Sequence, residues 1–329
     1  QHRGDAAAAV DDSGKYLREL RLGQPEAAAL GIVSALKVDL LELFALCQKG
    51  VDAIRQEWEA SGTDEDLECV DYVLNQPAGK SSKEFPNGVR DVGRNGERLE
   101  DFARKPEAVT AELTLAHVAA LRLYTTACFK GINVPLRDPE RTTPHPYPAT
   151  VFFLADGIKR LRASHSAGQE QPGGAAGVTS GGSGSSTRDN KRCPGGGGGG
   201  DGAGGGDEVL NLYRGMKDVT ASADFERDGG SEPAPMSTTS DPSVAVAYGQ
   251  SKNSLLFKIV SRSIMTRGAD ITFLSAFPGE REFLFPPLTF LQPTGRPREV
   301  FRLQLQDAQG KPTKEHATFT VVEVEPVLA

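Results

Sequence analysis

The segment ITFLSAFPGEREFLFPPLTFLQ, residues 271–292, decides the fold class of this chain. It holds three short runs of aliphatic, aromatic and β-branched residues: ITFLS (271–275), REFLF (281–285) and LTFLQ (288–292). Pro and Gly separate these runs, as they separate the strands of antiparallel sheets. The segment therefore predicts three β-strands joined by short connections.

Strand-like runs continue on both sides of this segment. They are VLNLYRG (209–215) and SLLFKIV (254–260) before it, and EVFRLQL (299–305) and ATFTVVEVE (317–325) after it. One stretch with helical spacing, Pro242 to Gly249, interrupts the series. The C-terminal part of the chain is therefore predicted to be mainly antiparallel sheet.

The first half of the chain follows the helical repeat instead. Apolar residues recur every three or four positions in four stretches: 26–58 with a break at Gly50, 64–73, 106–124 and 151–161. Loops are predicted for 77–100, rich in Gly, Asn and Lys, and for 142–149, where three prolines exclude a helix. Helices that precede strands, without βαβ alternation, predict an α+β fold.

Residues 168–207 are dominated by glycine and hold 17 of the chain's 37 glycines. Such a segment cannot bury enough apolar surface to offset its chain entropy, so it is predicted to be a flexible insert. A phosphate-binding glycine loop is the alternative. It is disfavoured because no GK[ST] sequence follows and no apolar strand leads into the segment.

Composition excludes several classes of protein. The 329-residue chain has 37 Lys and Arg against 44 Asp and Glu, a net charge of −7, which disfavours nucleic-acid binding. No apolar run reaches the roughly 18 residues that cross a bilayer, so no membrane span is predicted. The N-terminus has no Met and no apolar signal core, and we interpret it as a cut from a longer precursor.

Cysteine and histidine spacing indicates no metal site. The four cysteines have no CxxC spacing and the five histidines are scattered, so no metal is predicted. Inert free thiols are favoured over a disulfide framework. Together with the truncated N-terminus, this favours a soluble, cytoplasmic protein.

Two motifs before the opening segment could carry chemistry. Arg214 follows an apolar strand and precedes Gly215; a guanidinium suits phosphate oxygens, and a glycine lets a ligand approach the backbone. The alternative is a strand-end arginine in solvent. In the hydroxyl-rich run MSTTSDP (236–242), Ser237 could orient a catalytic carboxylate, and helix capping is the alternative.

The third motif, GEREFLF (279–285), lies inside the opening segment. Alternate residues of a strand point to one face, so Glu280 and Glu282 would lie side by side at a strand start. Two close carboxylates can stabilise a positive charge or remove a proton. The alternative is a solvated strand edge whose charges guard against aggregation.

Taken together, an arginine after a strand, an STS-like run and a later Glu-x-Glu pair resemble the arginine-type mono-ADP-ribosyltransferases, the R-S-E group. Three further segments are similar to that family: the helix TLAHVAALRLYTTACFKGINVPLRD (114–138) with its YT and IN..LR signatures, the strands and loop of 255–291, and the closing strand TFTVVEVEP (318–326). The resemblance covers roughly residues 84–166 and 208–329. The sequence departs from the family pattern at Thr239, because the third position of the STS run is a threonine here.

The resemblance implies an ADP-ribosyltransferase-like α+β fold, with a helical N-terminal part followed by a mainly antiparallel two-sheet β core. It also implies a division of the chain. The expected parts are an N-terminal helical extension with partly disordered ends (1–83), the helical part of the transferase domain (84–166), the Gly-rich insert (167–207) and the catalytic β core (208–329).

The resemblance further implies a role for each motif residue. Arg214 would hold the NAD phosphates, and Ser237 would hydrogen-bond Glu282. Glu282 would grip a hydroxyl of the nicotinamide ribose and stabilise an oxocarbenium-like transition state. Glu280 would engage the acceptor guanidinium, and Phe277 would help present it. The NAD site would also include Gly215, Thr238 and Thr239.

The implied activity is transfer of ADP-ribose from NAD, or from NADP, to arginine side chains of an acceptor protein, with inversion at the anomeric carbon and without a metal. A NAD glycohydrolase, with water as the acceptor, is one alternative. A non-catalytic NAD-binding or interaction module is the other.

Overall fold

The computed structural model describes residues 25–79, 90–167, 209–306 and 312–328. Three predicted features lie outside these residues: nearly all of the Gly-rich insert, part of the loop predicted at 77–100, and the N-terminal end of the predicted extension. Helices come first along the described chain and strands follow.

The helices before the first strand divide more finely than the sequence predicts. They are α1 (Pro25–Leu36), α2 (Leu40–Cys47), α3 (Val51–Ser61), α4 (Asp64–Asn75), α5 (Leu99–Ala103), α6 (Pro106–Thr110), α7 (Leu115–Tyr124), α8 (Phe129–Arg137) and α9 (Pro148–Ala167). The break at Gly50 is confirmed, with a φ of 59°. A single helix over the rest of 26–58 is wrong, because Asp39 accepts the N–H groups of Leu41 and Glu42 and so begins α2.

The strands are β1 (Leu210–Lys217), β2 (Gly230–Glu232), β3 (Met236–Thr239), β4 (Asn253–Ser261), β5 (Ala269–Asp270), β6 (Glu282–Phe285), β7 (Thr289–Pro293), β8 (Glu299–Gln306) and β9 (Pro312–Val327). Helix α10 (Ala223–Asp228) precedes β2, and α11 (Pro242–Gly249) follows β3. The helix predicted at 242–249 is confirmed, as are six of the seven predicted strands. The short strands β2, β3 and β5 were not predicted.

The strand predicted at 271–275 is wrong. The carboxylate of Asp270 accepts the N–H of Thr272 at 2.9 Å, which turns the chain just after β5. The N–H of Ser275 then donates to the carbonyl of Ile271 at 2.8 Å. This segment is therefore a loop, and it leads directly to the Glu-x-Glu motif.

Hydrogen bonds connect the strands in the order β2-β7-β9-β4-β1-β3-β6-β5, with β8 paired to β9. Among the strands in the described part of the chain, only β4 and β9 run parallel, so the mainly antiparallel α+β fold is confirmed. Strands β1 and β3 join at a single pair, Tyr213 with Thr239. This narrow junction divides the sheet of nine described strands into a six-stranded part and the three-stranded part β3-β6-β5.

The helices share one hydrophobic core with the three-stranded part. Trp58 and Leu121 from the helices belong to the same buried cluster as Ile271 and Leu284. The described residues of the predicted extension therefore contribute to this core, while the limits of the domains stay a prediction. Among the described helices, none combines the length and apolar character that crossing a membrane requires.

Close packing between β1 and α11 requires a glycine at position 215. A Cβ built there would lie 1.9 Å from the backbone carbonyl oxygen of Ala245. Replacing Gly215 with Ala is therefore expected to lower the free energy of unfolding by about 3 kcal/mol, because backbone must move to admit the methyl group. Urea unfolding followed by circular dichroism measures this change.

Gly279→Ala is the matched control, since nothing lies within 4 Å of a Cβ built at that position. It should unfold close to the wild-type urea midpoint. Equal midpoints for the two glycine variants would contradict the packing explanation.

Candidate active site

The predicted site residues line a single cavity of about 330 Å³. They are Arg214, Gly215, Ser237, Thr238, Thr239, Phe277, Glu280 and Glu282. The end of α7, the segment after it and α8 form one wall; β1, β3, α11 and the start of β6 with the loop before it form the other. This volume is within the range of about 300–1,000 Å³ that is typical of small-molecule sites.

Glu282 is the first residue of β6, and its carboxylate is held by two serine hydroxyls. Ser237 Oγ on β3 donates to Glu282 Oε1 at 2.6 Å, and Ser275 Oγ donates to Oε2 at 3.0 Å. Thr239 pairs with Glu282 across the β3–β6 ladder, so the strand register places Ser237 near the carboxylate. The predicted contact between Ser237 and Glu282 is present, and Ser275 adds a second one.

Burial is the main influence on the ionisation of Glu282. Burial, together with the smaller effect of the neighbouring Glu280, raises the pKa of this carboxyl group to about 7. The hydroxyls of Ser237 and Ser275 act in the opposite direction, because they stabilise the ionised form. Near neutral pH, Glu282 is therefore divided between its protonated and ionised forms.

Glu280 lies in the cavity for a reason other than strand alternation. It ends a short 3₁₀ helix, Pro278–Glu280, and the strand begins only at Glu282. Arg281 between them has a φ of 48°, in the left-handed region. The prediction that both glutamates follow a strand pleat is wrong; a turn at Arg281 brings both carboxylates to the same cavity.

The Glu280 carboxylate is partly buried, and burial raises its pKa. Tyr248 on α11 donates its hydroxyl to Glu280 Oε1 at 2.6 Å, which lowers that pKa. Phe277, at the start of the 3₁₀ turn, accepts the N–H of Glu280 at its carbonyl oxygen at 3.0 Å. Phe277 and Glu280 therefore belong to one tight turn at the cavity.

Arg214 braces the strand that carries Ser237. Its Nη1 donates to the backbone carbonyl of Ser237 at 2.8 Å, across the junction between β1 and β3. Its Nε is buried without a hydrogen-bond partner among the described residues. Burial lowers the pKa of this guanidinium. A buried cationic donor without a partner is a suitable contact for an anionic ligand.

The two threonines of the hydroxyl run bond to the backbone of the Glu-x-Glu segment. Thr238 Oγ1 donates to the carbonyl of Phe283 at 2.9 Å, and Thr239 Oγ1 donates to that of Glu280 at 2.6 Å. Both hydroxyls therefore fix the position of β6 and the turn before it. Their roles in NAD binding stay predictions.

Charged residues of the helical part anchor the loop that carries Ser275. Arg122 on α7 bonds both oxygens of Asp91, at 2.9 and 3.1 Å, and donates to the carbonyl of Leu274 at 2.9 Å. Arg94 donates to the carbonyl of Ser275 at 2.6 Å. Asp91 and Arg122 are nearly inaccessible to solvent. Sequence reasoning missed Arg94, Asp91 and Arg122 because they belong to none of the three motifs.

A second set of residues missed by the motif analysis lies on the α7–α8 wall. Asn133 Nδ2 donates to the hydroxyl of Tyr124 at 3.0 Å, and that hydroxyl donates to the carbonyl of Pro235 at 2.6 Å. Asn133 Oδ1 is buried without a partner among the described residues. Both residues belong to the 114–138 segment, which the resemblance identified as a whole.

Among the residues that the structure describes, no group of three or more His, Cys, Asp or Glu side chains could hold a metal ion. Cys47, Cys69 and Cys128 are free thiols, and Cys193 lies outside the described residues.

The buried Glu282 should make stability depend on pH. Its folded-state pKa, about 7, lies above the ordinary value of 4.5 for an unperturbed glutamate. The favourable contribution of Glu282 to the free energy of unfolding is therefore complete below pH 4.5 and is lost as the pH rises through 7. Glu282→Gln removes this titration. The free energy of unfolding of the variant, relative to that of the wild type, should therefore be about 2–4 kcal/mol higher at about pH 8 than at about pH 4.

Urea unfolding of both proteins at these two pH values measures the gain. A stability difference between variant and wild type that is the same at both pH values would contradict the raised pKa. Other buried carboxyl groups, such as Glu57 and Glu232, cancel in this comparison because both proteins contain them.

No family model matches this chain, and no curated protein sequence matches it. Solved structures similar to it include exoenzyme S from Pseudomonas aeruginosa, at 19% identity over 68% of this chain and 86% of that chain, with a TM-score of 0.35. The ADP-ribosyltransferase HopU1 of Pseudomonas syringae pv. tomato DC3000 is 16% identical over 80% of this chain and 97% of that chain, with a TM-score of 0.38.

The eucaryotic mono-ADP-ribosyltransferase ART2.2 is 14% identical over 90% of both chains, with a TM-score of 0.40. HopU1 and ART2.2 are ADP-ribosyltransferases by name.

Proposed function

We propose that this chain transfers ADP-ribose from NAD to arginine side chains of an acceptor protein and releases nicotinamide. The observation that carries the proposal is the environment of Glu282. Its buried carboxylate is held at both oxygens by serine hydroxyls, on the wall of a cavity that also contains Arg214. A carboxylate fixed in this way is preorganised to stabilise a developing positive charge.

The bond that breaks joins C1′ of the ribose to the ring nitrogen of nicotinamide. Nicotinamide is attached as a pyridinium, so it leaves as a neutral molecule with the bonding electrons and needs no acid. Positive charge then develops on the ribose, as it does in glycoside hydrolysis. Ionised Glu282 would stabilise that charge and accept a hydrogen bond from a ribose hydroxyl.

Arg214 would act on the phosphates of the same molecule. Its unpartnered Nε supplies a buried donor, while its bond to the Ser237 carbonyl fixes the guanidinium. The guanidinium would therefore hold the pyrophosphate while Glu282 acts on the ribose. NADP is the second nucleotide to test, since it carries the same nicotinamide riboside.

Glu280 and Phe277 would serve the acceptor. A guanidine nitrogen attacks C1′ from the face opposite the departing nicotinamide, which inverts the configuration at that carbon. The new C–N bond leaves one proton in excess on the guanidinium group, and the Glu280 carboxylate is the group positioned to accept it. A carboxylate at this position also favours a cationic acceptor.

NAD hydrolysis is the second candidate function, because the same Glu282 would serve it, with water as the nucleophile and the solvent taking its proton. One experiment tests both functions. The full chain is incubated with NAD labelled in its adenosine half and with a small guanidino compound as acceptor. Labelled acceptor together with free nicotinamide is the expected result. Free ADP-ribose as the only labelled product would replace transfer with hydrolysis, and intact NAD would overturn both.

A further inference from the structure

We propose that Tyr248 positions Glu280 for the guanidinium acceptor, and so sets the ratio of transfer to hydrolysis. This inference rests on the proposed function. Tyr248 belongs to none of the three sequence motifs, yet it lines the same cavity as the two glutamates. Its hydroxyl donates to Glu280 Oε1 at 2.6 Å, the length of a strong hydrogen bond to a carboxylate.

Among the described residues, this is the side-chain hydrogen bond that holds the Glu280 carboxylate. The 3₁₀ turn fixes the backbone of Glu280, but a glutamate side chain keeps several rotamers unless a partner selects one. Tyr248 occupies one carboxylate oxygen and leaves the other, Oε2, for a guanidinium N–H. The hydroxyl thus selects a rotamer without blocking the acceptor.

Folding does not account for this contact. The Tyr248 side chain is 56% exposed, so its hydroxyl is not a buried group that needs a partner. Helix α11 is instead held by the backbone packing of Gly215 against Ala245, and by Gly249 against Phe319. An exposed tyrosine directed at a partly buried carboxylate beside the cavity therefore points to a role in the site.

The arrangement separates the two halves of the proposed reaction. Tyr248 bonds Glu280, whereas Ser237 and Ser275 bond Glu282. Loss of the Tyr248 hydroxyl should release Glu280 and leave the hydrogen bonds of Glu282 intact. Acceptor use should then fall while NAD cleavage continues.

The test uses Tyr248→Phe in the full chain, which removes the hydroxyl and keeps the ring. Nicotinamide release and labelling of a small guanidino acceptor are measured over a range of acceptor concentrations. We expect the acceptor KM to rise and the transfer-to-hydrolysis ratio to fall about tenfold, because a hydrogen bond to a charged group is lost. The KM for NAD and the rate of nicotinamide release without acceptor should change far less than the acceptor KM, because the ring that lines the cavity is retained.

Tyr147→Phe is the matched control. It removes a tyrosine hydroxyl that donates to the carbonyl of Ser61 at 3.0 Å, in the helical part. It should leave both the ratio and the acceptor KM at their wild-type values. Thermal unfolding of Tyr248→Phe should match the wild type, since the side chain is exposed.

The outcomes separate this inference from the proposed function. A wild type that transfers ADP-ribose, beside a Tyr248→Phe variant with the same ratio, would overturn the role of Tyr248 alone. Parallel loss of NAD cleavage and transfer in that variant would also overturn it, since a role through Glu280 spares cleavage. A wild type that leaves NAD intact would remove the proposed function and this inference together.

Discussion

Replacing Glu282 with Gln is expected to lower the rate of nicotinamide release from NAD by about 10³-fold, with or without an acceptor. The amide has nearly the shape of the carboxylate but carries no charge, so it cannot stabilise the positive charge that develops on the ribose. Transfer should be lost together with hydrolysis, because both reactions share the cleavage step. The measurement is nicotinamide release under saturating NAD, in the presence and absence of a guanidino acceptor.

The loss cannot be attributed to unfolding if the pH prediction holds. Glu282 is buried, and its ionisation destabilises the folded chain, so the stability of the Gln variant relative to the wild type should rise as the pH approaches 8. An inactive variant with raised stability is the signature of a residue retained for chemistry and not for folding. Glu299→Gln, at an exposed position on β8, is the matched control and should keep full activity. Cleavage within tenfold of wild type in Glu282→Gln would overturn the central role of this carboxylate.

The structure brings the residues of all three sequence motifs to one cavity, but strand alternation does not explain how Glu280 reaches it. Arg214, Ser237 and Glu282 meet in one cavity, as the resemblance implies. Glu280 also lies there, but the strand pleat is not the cause. Short-range patterns assume regular backbone, and the left-handed residue Arg281 breaks that assumption. No residue type marks Arg281 as left-handed in advance, since such a φ is uncommon for any residue other than glycine.

The residues that support the site were harder to predict, because they come from distant parts of the chain. Ser275 belongs to the predicted strand 271–275, and the Asx turn at Asp270 changes both its backbone and its direction. Arg94 and Arg122 reach this loop from more than 150 residues away in sequence. Contacts of such separation follow from tertiary packing, which periodicity in a single sequence does not encode.

Replacing Glu280 with Gln is expected to lower labelling of a guanidino acceptor by at least about 100-fold, while nicotinamide release stays within about fivefold of the wild type. The rate of transfer to the acceptor should fall for two reasons. The guanidinium loses a charge-assisted hydrogen bond, and the reaction loses the group that accepts the acceptor's proton. Cleavage is spared because Ser237 and Ser275 still hold Glu282. The change should also lower the pKa of Glu282, since the charge of Glu280 raises it.

The amide oxygen introduced by Glu280→Gln can still accept the Tyr248 hydroxyl, so the geometry of the turn is retained and the charge alone changes. This makes the comparison with Glu282→Gln decisive for the division of roles. One variant should lose every product of NAD cleavage, and the other should convert a transferase into a hydrolase. Parallel loss of both activities in Glu280→Gln would mean that the two carboxylates act as one unit in cleavage. Undiminished labelling would mean that another group accepts the proton of the guanidinium acceptor, because an amide at position 280 could not accept it.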